Sequence, residues 1–311
     1  MRIAVTGSHG TIGRPLVDEL RARGHQVWGI ELQHNGLPQT IRADVADYRQ
    51  LRAAFTRAGG LGGIDVVYHL AAEFGRINGE DHYEQVWRTN VIGTRNVLEL
   101  QREFGFRHVF ASSSEVYGEA DADYIAEDYL KQHPQPRLTN DYAISKRVNE
   151  EQIANFAERH GTKTMTLRFF NAYGPGERYH DYRSVVCLFA YRLLTGQPIT
   201  VYENYHRVFM YGPDFTMTLA NAAERFHPGE TINVGGDEYV SVSDMADMLL
   251  DITGAHPSLI TRLPLDAHNV TSKRPYIFKA QQLLGHKPRT RLAEGLPMTV
   301  DWMRKHYEIG G

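Results

Sequence analysis

Tyr142 and Lys146 place a phenol and an amine four residues apart in a segment, 140–160, whose sequence is typical of a helix. Side chains at that spacing leave the same helix face, one above the other. A nearby ammonium favours the phenolate and lowers the pKa of the phenol. A tyrosine tuned in this way can take a proton from an alcohol or return one to a carbonyl. The same spacing also fits a tyrosine that packs and a lysine that points to water, so the pair needs support from other segments.

The bulk composition is that of an ordinary globular protein, with 311 residues, 42% hydrophobic and 23% charged, and a net charge of −3. No segment concentrates lysine and arginine as a nucleic-acid surface does. No apolar run reaches the ~20 residues of a membrane span, and a strand pattern begins at the first residues without a signal peptide. We therefore expect a cytoplasmic protein without a metal site. Its single cysteine, Cys187, lies in an apolar run and is predicted to be buried.

A glycine turn follows the first predicted strand, residues 3–5. Gly7, Gly10 and Gly13 recur every third residue, and a helix pattern with one apolar face comes next. A strand, a glycine turn and a helix in this order form the phosphate-binding half of a dinucleotide fold. The glycines let the backbone approach a pyrophosphate, which then lies at the positive end of the helix.

The second predicted strand, residues 26–30, ends at Glu31, which is 18 residues past Gly13. A carboxylate at about this distance hydrogen-bonds the adenosine ribose in dinucleotide folds. It would also repel a 2′-phosphate, and residues 32–35 contain no arginine to accept one. The pattern favours NAD over NADP. The alternative is that Glu31 is a solvated charge at a strand end.

Three more predicted strands, 40–43, 64–70 and 107–111, alternate with helix patterns over 48–57 and 82–104. This alternation predicts a Rossmann-type, doubly wound parallel sheet, with ligands at the carboxyl ends of its strands. The side chains that fall at those ends are Glu31, Asp44, Ala71, Ala72 and the serines at 112–114.

Six segments in a fixed order resemble the extended short-chain dehydrogenase/reductases, specifically the NAD-dependent nucleotide-sugar epimerase/dehydratase family. They are Gly7-x-x-Gly10-x-x-Gly13, the segment 69–72, Asn90-Val91-x-Gly93-Thr94, the segment 112–118, Tyr142-x-x-x-Lys146 and the segment 168–176. The resemblance implies an NAD-binding Rossmann domain over residues 1–171. Residues 172–311 would form a smaller, mixed α/β, mainly substrate-binding domain, with the chain crossing back to the first.

The resemblance also implies site residues. Tyr142 would be the base, Lys146 would bind the nicotinamide ribose and lower the pKa of the tyrosine, and Ser113 would bind the reacting sugar oxygen. NAD would be held by Gly7, Gly10, Thr11, Ile12, Gly13, Glu31, Asp44, Val45, Leu70, Ala71, Ala72, Asn90, Tyr142, Lys146 and Phe170. A nucleotide-diphosphate sugar would be held by Glu73, Ser113, Ser114, Tyr142, Asn171, Val201, Arg207 and Arg274. For Ser114, a hydroxyl that serves only the local backbone is an equal alternative. Arg207 lies in a segment that departs from the family pattern, since Val208 replaces an aspartate.

The implied chemistry begins with loss of the sugar 4-hydroxyl proton to Tyr142 and of hydride from C4 to NAD+, which gives a 4-keto sugar. Return of the hydride on the other face is 4-epimerisation, loss of CO2 from a C6 carboxylate is decarboxylation, and loss of water is 4,6-dehydration. Glu115 is implied to be catalytic, because family dehydratases and decarboxylases carry a glutamate there. Dehydratases often carry an aspartate in place of Ser114.

The sequence favours a 4-epimerase, with a 4,6-dehydratase or a UDP-glucuronate-type decarboxylase as the alternative. An NAD-sensing scaffold protein is the non-enzyme alternative, but such proteins usually lose the tyrosine or the lysine that this chain keeps. Helices over 82–104 and 140–160 match those of the family's dimer contact. The resemblance therefore implies a homodimer.

Overall fold

Fourteen strands and twelve α-helices are present in the computed structural model, which describes residues 1–33, 36–264 and 270–309. The strands are β1 Arg2–Thr6, β2 Gln26–Glu31, β3 Thr40–Arg42, β4 Val66–His69, β5 Arg107–Ser113, β6 Thr164–Phe169, β7 Ala172–Tyr173, β8 Ile199–Tyr202, β9 His206–Val208, β10 Met210–Tyr211, β11 Thr231–Val234, β12 Tyr239–Ser241, β13 Ile260–Leu263 and β14 Ser272–Lys273. The helices are α1 Gly13–Ala22, α2 Tyr48–Gly59, α3 Arg76–Asp81, α4 Tyr83–Val86, α5 Gly93–Phe104, α6 Tyr129–Gln132, α7 Asp141–His160, α8 Val185–Leu194, α9 Gly212–Glu224, α10 Val242–Thr253, α11 Phe278–Leu284 and α12 Leu292–Tyr307.

A seven-stranded parallel sheet has the order β11-β6-β5-β4-β1-β2-β3. The strand order reverses direction between β1 and β4, so a crevice opens at their carboxyl ends, where ligands bind in open α/β sheets. The predicted Rossmann-type, doubly wound fold is confirmed.

Alternation along the strands divides the core between the two faces of this sheet. Ile3 and Val5 of β1 pack into one apolar cluster with Leu16 and Leu20 of α1. Ala4, between them, faces a second cluster beneath α2 and α5. Both faces are covered, as the continuous apolar run of β1 predicts.

A separate apolar cluster forms in the later part of the chain, around α8, α10 and α12. Cys187 is buried there, as predicted. The chain also crosses back, because β11 pairs with β6 at the edge of the central sheet. The division of the chain at residue 171 stays a prediction.

The helix predicted over 82–104 is interrupted. It consists of α4, a π-helical turn Trp87–Ile92 and α5. A π turn adds a residue to the helical repeat, and such turns are frequent at functional sites. Asn90, a predicted site residue, lies in this turn. Within the described ranges, no helix has the length and apolar character needed to cross a membrane.

Candidate active site

The glycine turn closes tightly on itself and on the end of β4. Gly7 has φ +70°, and a Cβ at this residue would lie 2.7 Å from the backbone nitrogen of Ala71. A Cβ at Gly13 would lie 2.0 Å from the carbonyl oxygen of Gly7. Thr11 and Ile12, which the turn carries, line a separate groove of about 580 Å³ whose other walls are the side of α1 and the start of α9. The turn therefore presents backbone and the start of α1 to a ligand, as a pyrophosphate requires.

Glu31 binds the glycine turn itself. Its carboxylate accepts hydrogen bonds from the backbone N–H of His9 at 2.7 Å and of Leu32 at 3.1 Å. A strand-end acid therefore lies beside the turn, at the position expected for a ribose contact. The preference for NAD over NADP also depends on the absence of arginine from residues 32–35, and residues 34 and 35 lie outside the described residues.

Asp44 and Val45 lie one strand further out. Asp44 accepts a hydrogen bond from the backbone of Ala46 at 2.8 Å and lies 3.3 Å from Arg88. Val45 is buried against Gly93, where a Cβ would come within 2.9 Å of the valine side chain. The sequence does not predict the contact with Arg88. This arginine lies in the helix pattern over 82–104, and only the fold brings it to Asp44.

The end of β4 is held by a chain of buried hydrogen bonds. The hydroxyl of Thr6 accepts the backbone N–H of Ala71 at 3.2 Å and contacts Nδ1 of His69 at 2.8 Å. Burial, followed by nearby His108 and Lys146, lowers the pKa of His69 well below its ordinary value, so its imidazole is neutral. Leu70, Ala71 and Ala72 remain partly exposed. They form a short wall at the carboxyl end of β4, where Leu70 and Ala71 also pack against the two core clusters.

Asn90 connects this wall to the helix of Tyr142. Its amide accepts the backbone N–H of Glu73 at 2.9 Å and donates to the carbonyl of Glu73 at 2.9 Å. It also donates to the hydroxyl of Ser145 at 3.0 Å. The Glu73 carboxylate accepts a hydrogen bond from the buried Asn78 at 3.0 Å. Asn90 is thus occupied by protein contacts that position Glu73 beside α7.

The three predicted reacting groups come together at the start of α7. Asn140 caps this helix by accepting the backbone N–H of Ala143 at 2.8 Å. Ser113 hydrogen-bonds the Tyr142 hydroxyl. Lys146 is buried, lies 5.9 Å from the centre of the Tyr142 ring and donates to the carbonyl of Ala111 at 2.8 Å. The predicted helix face is therefore turned toward the end of β5.

The pKa values differ from the sequence prediction. Burial raises the pKa of Tyr142 to about 12, although the hydrogen bond from Ser113 opposes this. Burial also lowers the pKa of Lys146 to about 8, opposed by the charge of Glu150. The prediction that Lys146 lowers the pKa of Tyr142 is wrong for this structure, since the amine donates to a backbone carbonyl and desolvation of the phenolate dominates.

Glu115 is bound by a lysine from the far end of the chain. The buried ammonium of Lys273 donates to its carboxylate, and Asn140 hydrogen-bonds it as well. Burial raises the pKa of Glu115, but Lys273, Arg207 and Asn140 together hold it below its ordinary value. The resemblance implicated the second member of the basic pair at 273–274, Arg274, in substrate binding, whereas the first member, Lys273, is the one that contacts Glu115.

The two arginines of the predicted substrate site are engaged differently. Arg207, opposite Lys273 in the β9–β14 pairing, donates to the carbonyls of His206 at 2.9 Å and Thr271 at 3.0 Å. Arg274 lies between two tyrosine rings, 4.1 Å from the centre of Tyr124 and 5.1 Å from that of Tyr239. Neither guanidinium was predicted to have these partners.

Four further predicted residues are placed mainly by packing or backbone contacts. Phe170 has no exposed surface, and its ring lies 6.1 Å from that of Tyr117. Val201 is fully buried in the apolar cluster around α8. Asn171 has φ +35° and donates to the carbonyl of Val208 at 3.1 Å. Ser114 is buried in the 3-10 turn after β5. The side chains of Phe170 and Val201 are not brought to the crevice.

A model of the family described as "NAD dependent epimerase/dehydratase family" matches residues 3–235. The chain belongs to this family. The glycine turn, whose close approaches leave no room for side chains, fits the NAD on which the family depends. The cofactor prediction is confirmed.

Curated relatives of this family member include two decarboxylases. UDP-N-acetyl-alpha-D-glucosaminuronate decarboxylase from Bacillus cytotoxicus is 26% identical, over 98% of both chains. UDP-glucuronic acid decarboxylase 1 from Xenopus tropicalis is 29% identical, over 99% of this chain and 73% of the relative.

Solved structures similar to this chain include complexes with cofactor and with sugar nucleotide. The UDP-glucose 4-epimerase of Thermus thermophilus, complexed with NAD, superposes with a TM-score of 0.86 at 27% sequence identity. The match covers 98% of this chain and 99% of the epimerase chain. MoeE5 in complex with UDP-glucuronic acid and NAD has a TM-score of 0.84 at 29% identity, over 98% and 100%. The similar proteins thus include both lyases and isomerases.

Proposed function

We propose that the chain decarboxylates a nucleotide-linked uronic acid of the UDP-glucuronate class through a 4-keto intermediate. The observation that carries this proposal is the Glu115–Lys273 ion pair beside Ser113 and Tyr142. Proton and hydride exchange at C4 needs only Tyr142, Ser113, Lys146 and the cofactor. A charged pair in addition to these is suited to a proton transfer at C5, although the resemblance places this glutamate in family members with other activities as well.

The first half-reaction oxidises C4. Tyr142 takes the proton of the 4-hydroxyl as the C4 hydride leaves, and Ser113 holds the oxygen that becomes the carbonyl. NAD, when bound, accepts this hydride and later returns it. Lys146 contributes a positive charge beneath the tyrosine. Burial raises the pKa of Tyr142 to about 12, and the hydrogen bond from Ser113 is the contribution that favours the phenolate.

The second half-reaction breaks the bond between C5 and C6. In a 4-keto uronate the C6 carboxylate is β to the carbonyl, so its departure as CO2 leaves an electron pair that the C4 oxygen accepts. Ser113 and Tyr142 stabilise that oxygen, and C5 then takes a proton. We assign the proton at C5 to the ammonium of Lys273, passed on through the ionised carboxylate of Glu115, and the lysine then regains a proton from water. Return of the hydride to C4 gives a pentose, so a uronate and one proton become a pentose and CO2.

A 4-epimerase is the second candidate, and the similarity to the Thermus 4-epimerase over nearly the whole chain supports it. Tyr142, Ser113 and Lys146 serve that reaction equally well. A 4,6-dehydratase is less well supported, because Ser114 stands where dehydratases of the family often carry an aspartate. An NAD-sensing scaffold would need none of these groups in contact.

Product mass tests the proposal. The purified protein is incubated with NAD and a panel of UDP-, dTDP-, GDP-, CDP- and ADP-sugars that includes uronates. We expect a uronate to lose CO2. Unchanged mass with a shifted retention time supports the epimerase, and loss of water supports the dehydratase. Turnover of no sugar nucleotide would overturn the enzymatic assignment.

We also propose a cytoplasmic homodimer that pairs α5 and α7 of two copies, the helices that the family resemblance implicates. The two helices pack side by side in this chain. Tyr83 and Ile92, which precede α5, are 62% and 51% exposed. Sedimentation at micromolar concentration tests the dimer, and a monomer would overturn it.

A further inference from the structure

The carboxylate of Glu150, which the proposed reaction does not use, is saturated with hydrogen bonds. Arg168 donates to it through Nε at 2.9 Å and through Nη2 at 2.7 Å, and Ser112 donates its hydroxyl at 2.6 Å. The side chains of Arg168 and Glu150 are 5% and 9% exposed. The guanidinium of Arg168 and the hydroxyl of Ser112 therefore occupy both oxygens of the carboxylate with charge-assisted hydrogen bonds.

Glu150 lies one helical turn after Lys146 on α7, so both side chains leave the same face. They also bind consecutive residues of β5. Lys146 donates to the carbonyl of Ala111, and Ser112 donates to Glu150. Two bonds one turn apart fix the height and rotation of α7 against the strand. The strand then ends at Ser113, the predicted partner of the sugar oxygen.

The ammonium of Lys146 has few charged groups around it in the part of the chain that the structure describes. His69 of β4 is neutral, and Tyr142 is protonated because burial raises its pKa to about 12. Glu150 is the negative charge that opposes the effect of burial on the pKa of Lys146. Two cations lie on Glu150: Arg168 of the adjoining strand, β6, at 2.7 Å, and Arg147 of α7 at 3.8 Å.

We propose that Glu150 is a positioning residue that keeps Lys146 protonated and aligned with Ser113. The proposal rests on the proposed function only for its kinetic consequence. The charge state of Lys146 exists without turnover and is measurable by itself.

The direct test measures the pKa of Lys146 by NMR, which is practical because the chain has only seven lysines. The protein is labelled with [13Cε]lysine, the NMR signal of Lys146 is assigned with Lys146→Met, and its titration is followed in the wild type and in Glu150→Gln. We expect the apparent pKa of Lys146 to fall by about half a unit or more, roughly a threefold change in the ratio of ammonium to amine. Glu151→Gln is the matched control, since Glu151 is 58% exposed on the same helix and pairs with Arg147 at the surface.

The kinetic test is the pH profile of kcat/KM on the sugar nucleotide that the wild type turns over. Loss of Glu150 should move the alkaline limb to lower pH, because Lys146 loses its proton earlier, and Glu151→Gln should not move it. Absence of any turnover by the wild type would overturn the proposed function and leave the NMR result standing.

An unchanged Lys146 titration in Glu150→Gln would overturn the role of Glu150. If that variant does not fold because Arg168 is left as a buried unpaired cation, the double variant Glu150→Gln with Arg168→Met removes both charges. The same NMR titration then applies. A Lys146 with the same apparent pKa in the double variant as in Arg168→Met, from which it differs only at residue 150, would overturn the proposal.

Discussion

The ammonium of Lys273 binds the carboxylate of Glu115 across 158 residues of sequence. The lysine side chain is 2% exposed and the glutamate side chain 31% exposed, so the carboxylate is the member of the pair that a ligand can reach. The pair connects β14 to the 3-10 turn that follows Ser113. Ser113 and Glu115 are in turn linked, because the Ser113 hydroxyl accepts the backbone N–H of Glu115 at 3.2 Å.

Replacement of Lys273 by Met should separate the two half-reactions. Glu115 has a lowered pKa, so its ionised form is lost only as the pH falls through that low value. Without the lysine, burial raises the pKa of the carboxyl, and the acid limb of CO2 release should move to higher pH. Oxidation at C4 should persist, seen as NADH absorbance that appears with substrate and decays slowly.

Lys305→Met is the matched control for this change, because Lys305 is exposed on α12. It should leave the pH profile of CO2 release as in the wild type. An acid limb that stays in place in Lys273→Met would argue against the role of the pair.

Replacement of Tyr142 by Phe should lower turnover by about 10²–10⁴-fold, the usual contribution of a positioned acid or base. The ring stays, so packing and NAD affinity should change little. Tyr276→Phe, at a 48% exposed tyrosine, is the control and should remain fully active. Turnover is followed by product mass and NAD binding by the quenching of protein fluorescence. A Tyr142→Phe enzyme as active as the wild type would exclude the tyrosine as base.

Much of the fold could be predicted because its signals are local. The apolar run of β1, the glycines after it and the helix pattern of α1 lie within the first 22 residues and together predict a phosphate-binding turn. Tyr142 and Lys146 share one helix face by spacing alone. The prediction of a parallel sheet needed only the alternation of strand and helix patterns.

The features that could not be predicted depend on contacts between distant segments. The pairing of β14 with β9 brings Lys273 to Glu115, and no local pattern marks a two-residue strand. The burial of the Val201 side chain in an apolar core also depends on such contacts, and its role in substrate binding stays a prediction. The pKa of Tyr142 depends on desolvation by the folded chain, so the spacing of Tyr142 and Lys146 alone predicted its direction wrongly.

Replacement of Gly13 by Ala should weaken NAD binding by roughly tenfold or more, since strain of about 1–3 kcal/mol has to be relieved at the turn. The added Cβ would lie 2.0 Å from the carbonyl oxygen of Gly7, and backbone cannot give way there without opening the turn. Isothermal titration with NAD measures the change. Gly105→Ala is the control, because Gly105 caps α5 with φ +73° and no atom lies within 4 Å of its added Cβ. It should cost about 1 kcal/mol of stability and leave NAD affinity unchanged.

Replacement of Glu177 by Gln should stabilise the protein at neutral pH. Glu177 is 4% exposed, and burial raises the pKa of its carboxyl despite hydrogen bonds from the backbone and hydroxyl of Ser184, at 2.9 and 2.7 Å. A raised pKa means that the stability present below the unfolded-state pKa, about 4.3, is lost as pH rises through the folded-state value. The amide carries no charge, so the free energy of unfolding of the variant should be higher than that of the wild type by about 1 kcal/mol at pH 7 and equal to it near pH 4.

Urea unfolding between pH 4 and 8 measures this difference in the free energy of unfolding. Glu203→Gln, at an exposed site, is the control, and its stability should vary with pH as that of the wild type does. If the stability of Glu177→Gln also varied with pH as in the wild type, the buried carboxyl of Glu177 would not be the cause of that variation.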